Sequence, residues 1–168
     1  MGKILKVAAW VTLSAGFVSA QQPTFHDQLL DHLTGNWVLK GTIAGKETTH
    51  DVTAEWVLEH QYVRIHEVSR DKDSKGQPGY EAMVFIGWDQ ASSEYVGAWL
   101  DTYGGMGEST IGRSKRDGDE IHFLFKDKDS VFHTRFVYHP DAGNWEWRMD
   151  SEEKGAMKPF ARVKLTRK

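Results

Sequence analysis

Gly35-Asn36-Trp37-Val38-Leu39-Lys40-Gly41-Thr42-Ile43 is the stretch that decides the architecture. Trp37, Leu39 and Ile43 fall on one face and Lys40 and Thr42 on the other. That two-residue period belongs to a half-buried strand. Outward from it, the chain repeats the pattern. Strand-like runs lie near 36–43, 49–58, 61–70, 80–88, 94–101, 106–114, 119–126, 130–138, 144–150 and 159–167. Turn-forming clusters separate them, among them Ala44-Gly45-Lys46, Asp117-Gly118-Asp119 and Pro140-Asp141-Ala142-Gly143. Tight turns imply up-and-down connectivity, and closing the sheet removes its unpaired edges. The expected fold is all-β, a closed up-and-down antiparallel β-barrel of about ten strands with a short N-terminal helix. The helix is read over Pro23 to Leu33, where Phe25, Leu29 and Leu33 recur every four residues.

Alternation assigns the other faces in the same way. Val52, Ala54, Trp56 and Leu58 point inward, as do Ile121, Phe123 and Phe125, and Phe132, Thr134, Phe136 and Tyr138. Trp145, Trp147 and Met149 oppose Glu146, Arg148 and Asp150, and Val163 and Leu165 face inward near the end. The runs 80–88 and 94–101 are apolar on both faces. Their outer side therefore needs a cover, expected to be the N-terminal helix in part and a second copy of the chain for the rest, a homodimer through strands 80–100.

Gly-x-Trp at the entry of the first strand resembles the mark of the calycins, the superfamily of the lipocalins. The resemblance implies a basic residue near the end of the last strand packing across that Trp. Arg167 shares the inward parity of Val163 and Leu165, and in a closed barrel it lies beside Trp37, so the two can stack as a cation–π pair that closes the barrel. Most of the remaining chain resembles the bacterial family called domain of unknown function 1579. The residues carrying this are His26, Leu29 and Leu33 before Gly35-Asn36-Trp37, Trp56-Val57-Leu58 ahead of Gln61-Tyr62-Val63, Gly79-Tyr80-Glu81 through Ile86-Gly87-Trp88-Asp89, and Tyr95 through Asp101. Trp88 departs from the Tyr that such a pattern carries before the turn Asp. The resemblance implies a lipocalin-like fold and no activity.

The formal net charge of −3 and the absence of any basic cluster argue against nucleic acid as a partner. With no cysteine there are no disulfides, thiolate metal sites or Cys nucleophile. Lys3 and Lys6, the apolar run Val7 to Val18 and the small residues Val18-Ser19-Ala20 have the layout of a secretory signal peptide cleaved after Ala20. The run is too short for the roughly 20 residues of a spanning helix. The expected division is therefore a signal peptide over 1–20, a segment with the helix over 21–34 and the barrel over 35–168, giving an exported periplasmic or extracellular protein that leaves no membrane anchor.

The chemistry-bearing residues form no recognised catalytic spacing. Gly107-Glu108-Ser109-Thr110-Ile111-Gly112 lacks the Gly-x-Ser-x-Gly elbow, and Gly104-Gly105-Met106-Gly107 has no Lys-Ser/Thr after it to make a phosphate loop. The eight histidines show no metal-ligand spacing and read as solvated. The haem-binding barrels of more distant similarity need an inward His, for which His66 alone qualifies, and no cofactor is expected. On the third strand Tyr62, Arg64, His66 and Val68 share one face, and Val63, Ile65 and Glu67 the other. If the even face points in, Arg64 and His66 enter the lumen and Arg64 must pair with Glu55, Asp101 or an acidic ligand group. If the odd face points in, Arg64 lies in solvent. Parity leaves both open.

The lumen candidates are Trp56, Tyr62, Arg64, His66, Trp99, Asp101, Trp145 and Trp147, the tryptophans serving either as lining or as plain core. Trp37 and Arg167 close the barrel. No residue is assigned to catalysis or metal binding. The expected function is binding of a small apolar or amphipathic ligand in the lumen. The alternatives are an enzyme using a polar lumen cluster, and a structural or partner-binding barrel.

Overall fold

The computed structural model describes residues 25–168. The signal-peptide reading and the first two residues of the expected helix fall outside those residues. One helix, α1 (Gln28–Leu33), precedes eleven strands. These are β1 (Gly35–Ile43), β2 (Lys46–Val57), β3 (Tyr62–Ser69), β4 (Glu81–Asp89), β5 (Glu94–Asp101), β6 (Ile111–Ser114), β7 (Arg116–Asp117), β8 (Glu120–Lys126), β9 (Ser130–His139), β10 (Asn144–Glu153) and β11 (Ala156–Arg167). Neighbours run β6-β5-β4-β3-β2-β1-β11-β10-β9-β8-β7, and pairing of β6 with β8 closes the ring. β6 and β7 both pair with β8 and form one interrupted stave, so the wall is a closed antiparallel barrel of ten staves.

The period-two pattern explains the interior. Leu39, Val52, Ile65, Ile86, Phe123 and Leu165 are all buried and meet in one core. Trp147 is packed edge-on against Phe136, 4.8 Å between ring centres. Large rings give such a wall most of its hydrophobic stabilisation, each burying roughly 150–250 Å².

A six-residue helix is not stable by itself, and both ends of α1 are tied to the barrel. The Asp27 carboxylate caps the helix start, accepting from the amides of Leu29 at 2.8 Å and Leu30 at 3.1 Å. It also accepts from the Tyr95 hydroxyl. The last carbonyls are taken by side chains from the wall. Trp37 Nε1 donates to the Leu33 carbonyl at 2.8 Å and Trp145 Nε1 to that of His32 at 3.3 Å. Trp56 Nε1 donates to the Asp31 carboxylate at 2.8 Å. These anchors sit at one end of their strands, so α1 plugs that end of the barrel, with Leu29, Leu30 and Leu33 inside.

Several sequence expectations are corrected here. The helix begins after Asp27, and Phe25 lies ahead of it, stacked on Trp88 with 5.8 Å between centres. Leu58 is 69% exposed because the β2–β3 turn passes through three left-handed residues, Leu58, Glu59 and His60. Residues 106–110 make a loop and a 3-10 turn in place of a strand. As α1 enters the barrel end, it does not cover the outer face of β4 and β5, where Met83, Phe85, Val96, Ala98 and Leu100 stay partly exposed.

Candidate functional site: an open cup opposite the helix

The end of the barrel opposite α1 holds a cavity of about 730 Å³. Its two sides differ. On one side Ile43, Trp99, Phe125, Phe132, Met149 and Phe160 form an apolar wall. Phe160 reaches it through a β-bulge: β10 and β11 shift register between Met149 and Asp150, which pair with Ala161 and Pro159 and leave Phe160 between them. Without that extra residue Phe160 would alternate to the outside. Its ring instead meets Phe132 edge-on at 5.2 Å.

The other side is polar. Thr48, His50, Glu67, Ser69, Tyr80 and Asp101 line it. Thr48 Oγ1 and His50 Nε2 are 2.7 Å apart, and His50 Nδ1 is bonded to the Glu67 carboxylate. His50 and Glu67 are 3% and 2% exposed, a buried pair that stands only because each satisfies the other. Trp99 Nε1 donates to the Tyr80 hydroxyl at 3.1 Å, and that hydroxyl donates to Asp101 at 3.3 Å. Burial holds the Tyr80 phenol well above its ordinary range, and the charge of Glu67 adds to this, so the hydroxyl keeps its proton and its donor role. Thr134 Oγ1 also borders the cavity, fully buried and without a hydrogen-bond partner. At the rim Lys46 pairs with Asp71 at 3.2 Å, near Tyr103, Gly104, Ser109 and Thr110.

Of the eight lumen candidates, the structure brings Trp99 and Asp101 to the cup. Trp145 and Trp147 are wholly buried in the core, and Trp56 lies beneath α1 with His60 stacked on it at 4.6 Å. On β3 the odd face points inward: Val63, Ile65, Glu67 and Ser69 are buried. Tyr62, Arg64 and His66 are thereby turned out of the lumen, a correction to their place in the site. Outside the barrel Arg64 pairs with Glu55, and His66 with Glu81 at 2.6 Å. The residues missed were His50 and Glu67. The signal was present, since His50 has the parity of Val52 and Ala54, and Glu67 that of Val63 and Ile65. His50, and not His66, is the inward histidine; both its ring nitrogens are engaged. Among the described residues no group of three or more His, Cys, Asp or Glu side chains is arranged to hold a metal ion.

Fold and site together define a closed antiparallel β-barrel, plugged at one end and open at the other to a half-polar cup. The chain matches no family model and no curated protein.

Proposed function

We propose that the protein is an exported, lipocalin-like binder that holds a small amphipathic molecule in this cup. The observation that carries the reading is the pairing of an apolar wall with a buried polar wall around about 730 Å³ of space open to solvent. Pockets of 300–1,000 Å³ with a few convergent polar groups are typical small-molecule sites. The leader-like layout of residues 1–20 supports export. Trp99 in the wall supplies the test. Amphipathic probes titrated into the protein should shift its tryptophan emission, and Phe125→Trp should enlarge the signal. A panel of neutral, anionic and cationic amphiphiles and haem that produces no shift and no heat of binding would overturn the reading.

A second reading, hydrolysis of a small ester, is favoured by one specific arrangement. Thr48, His50 and Glu67 stand in the order of nucleophile, base and orienting carboxylate. Thr48 Oγ1 would add to the ester carbonyl as His50 takes its proton, the alcohol leaving with that proton. Water would then release the acid from the acyl-threonine. Turnover of nitrophenyl esters that vanishes in both Thr48→Val and His50→Gln supports it; equal rates in wild type and both variants overturn it.

A further inference from the structure

The binding reading above leaves open which head group the ligand carries, and the charges of the cup decide that question. Lys46 is the one lysine in the lining and there is no arginine. Lys46 stands at the rim, exposed and committed to Asp71. The lining carboxylates are Glu67, Asp71 and Asp101. Glu67 is occupied by His50. Asp101 accepts from the Tyr80 hydroxyl at 3.3 Å and from the Tyr103 amide at 2.9 Å, both neutral donors. Among the described residues it has no cationic partner. The lining therefore carries a negative excess of one charge with His50 protonated and of two with His50 neutral.

A carboxylate or phosphate head entering this space would meet that excess with no uncommitted cation to balance it. Inside a partly desolvated cavity such like-charge contact is costly. An ammonium head gains on two counts. Asp101 supplies the opposite charge. The rings of Trp99, Tyr80 and Tyr103 lie together at that corner, and aromatic rings attract cations. Thr134 Oγ1 supplies a separate indication that the cup takes a polar occupant. It is fully buried, has no partner in the protein and borders the cavity, and a hydroxyl in that state can accept from or donate to a polar group of a ligand.

We propose, resting on the binding reading, that the cup is selective for amphipathic cations, with an amine or quaternary ammonium beside Asp101 and the apolar body against Phe125, Phe132 and Phe160. The selectivity comes from what the cup lacks, a free cation, as much as from Asp101 itself.

The experiment is a calorimetric titration of the full chain with four probes of one alkyl length: decylamine, decyltrimethylammonium, decanol and decanoate, each below its micelle concentration. Both cations should bind about tenfold or more tighter than decanol, and decanoate weakest of all. Asp101→Asn should bring the cations to within about threefold of decanol and leave decanol itself unchanged. Decanoate binding as tightly as decylamine would overturn the proposal, as would cation affinity unmoved in a folded Asp101→Asn variant. If that variant does not fold, the order of the four probes on the wild type decides alone. Equal binding of all four would remove the head-group selectivity and keep the cup as a binding site. Binding of none would remove both.

Discussion

The Arg167 guanidinium carbon lies 4.3 Å from the centre of the Trp37 ring. The two residues are register partners across the β1–β11 pairing. The same guanidinium donates to the carbonyls of Thr34 at 3.1 Å and His32 at 3.3 Å, while Trp37 Nε1 donates to that of Leu33. One stacked pair thus fastens the wall and terminates the helix plug. Trp37→Ala should cost about 3–5 kcal/mol, as for a large buried ring. Arg167→Ala, at an exposed site, should cost about 1–2 kcal/mol. Urea denaturation reads both. Ligand affinity of the folded fraction should not change, because the pair sits at the end opposite the cup.

Asp27 caps α1, accepts from the buried Tyr95 hydroxyl and pairs with Arg116 at 3.6 Å. Burial, and then the bond to Asp27, raises the Tyr95 phenol above its ordinary value, so it remains the donor. Asp27→Ala removes a cap worth about 1 kcal/mol and strands a buried hydroxyl at about 1–3 kcal/mol. Tyr95→Phe should therefore cost less in the Asp27→Ala background than in the wild type. Strictly additive losses in that double-mutant cycle would show that the bond contributes nothing.

The barrel was legible because its walls alternate cleanly. Trp145 and Trp147 oppose Glu146 and Arg148, and no other regular structure buries one set while wetting the other. The site was half legible. Parity puts Trp99 and Asp101 on one face of β5, and β3 carries polar groups on both faces, Arg64 and His66 on one and Glu67 on the other. Parity fixes which residues travel together and not which set turns inward. That choice depends on His50 across the β2–β3 pair, since a buried Glu67 needs a partner and Arg64 finds Glu55 in solvent. The Phe160 bulge and the mode in which α1 seats depend on contacts between distant parts of the chain, which a local pattern does not encode.

That buried pair makes its own prediction. His50→Ala leaves the Glu67 carboxylate without its partner behind a 2% exposed surface, and should cost about 3–5 kcal/mol. Replacing both residues together, His50→Leu with Glu67→Leu, removes the unpaired charge. The double variant should be more stable than His50→Ala while losing any affinity that depends on the polar wall. Thermal melts and probe titration of the same samples separate the two effects.

Outside the barrel, His122 Nε2 lies 3.0 Å from His133 Nδ1. Burial lowers the His122 value below its ordinary 6.5, with repulsion from Arg135 and His133 adding to it. The folded chain therefore binds that proton less readily than the unfolded one. Its stabilising contribution is complete above the unfolded value and is lost as pH falls through the folded one. The melting temperature should fall as pH drops below about 6.5, and less so in His122→Gln. The carboxylates Asp89 and Glu146, lowered by Arg113 and Arg148, act in a separate and more acidic window. An identical slope in His122→Gln would place the pH dependence elsewhere.

Gly112 stands opposite Phe125 where β6 and β8 close the ring. A Cβ there would lie 2.8 Å from the Phe125 ring, closer than real contacts allow. That ring also lines the cup. Gly112→Ala must therefore displace Phe125, either into the cavity or away from the seam. The overpacking should cost about 1–3 kcal/mol, and a ring pushed inward should weaken bulky probes more than slender ones. Gly107→Ala is the control, since a Cβ at that loop position meets nothing within 4 Å. Urea denaturation and a titration with a slender and a bulky probe cover both outcomes. If Gly112→Ala matched the control in stability and in the affinity ratio of the two probes, the seam would have slack that this packing excludes.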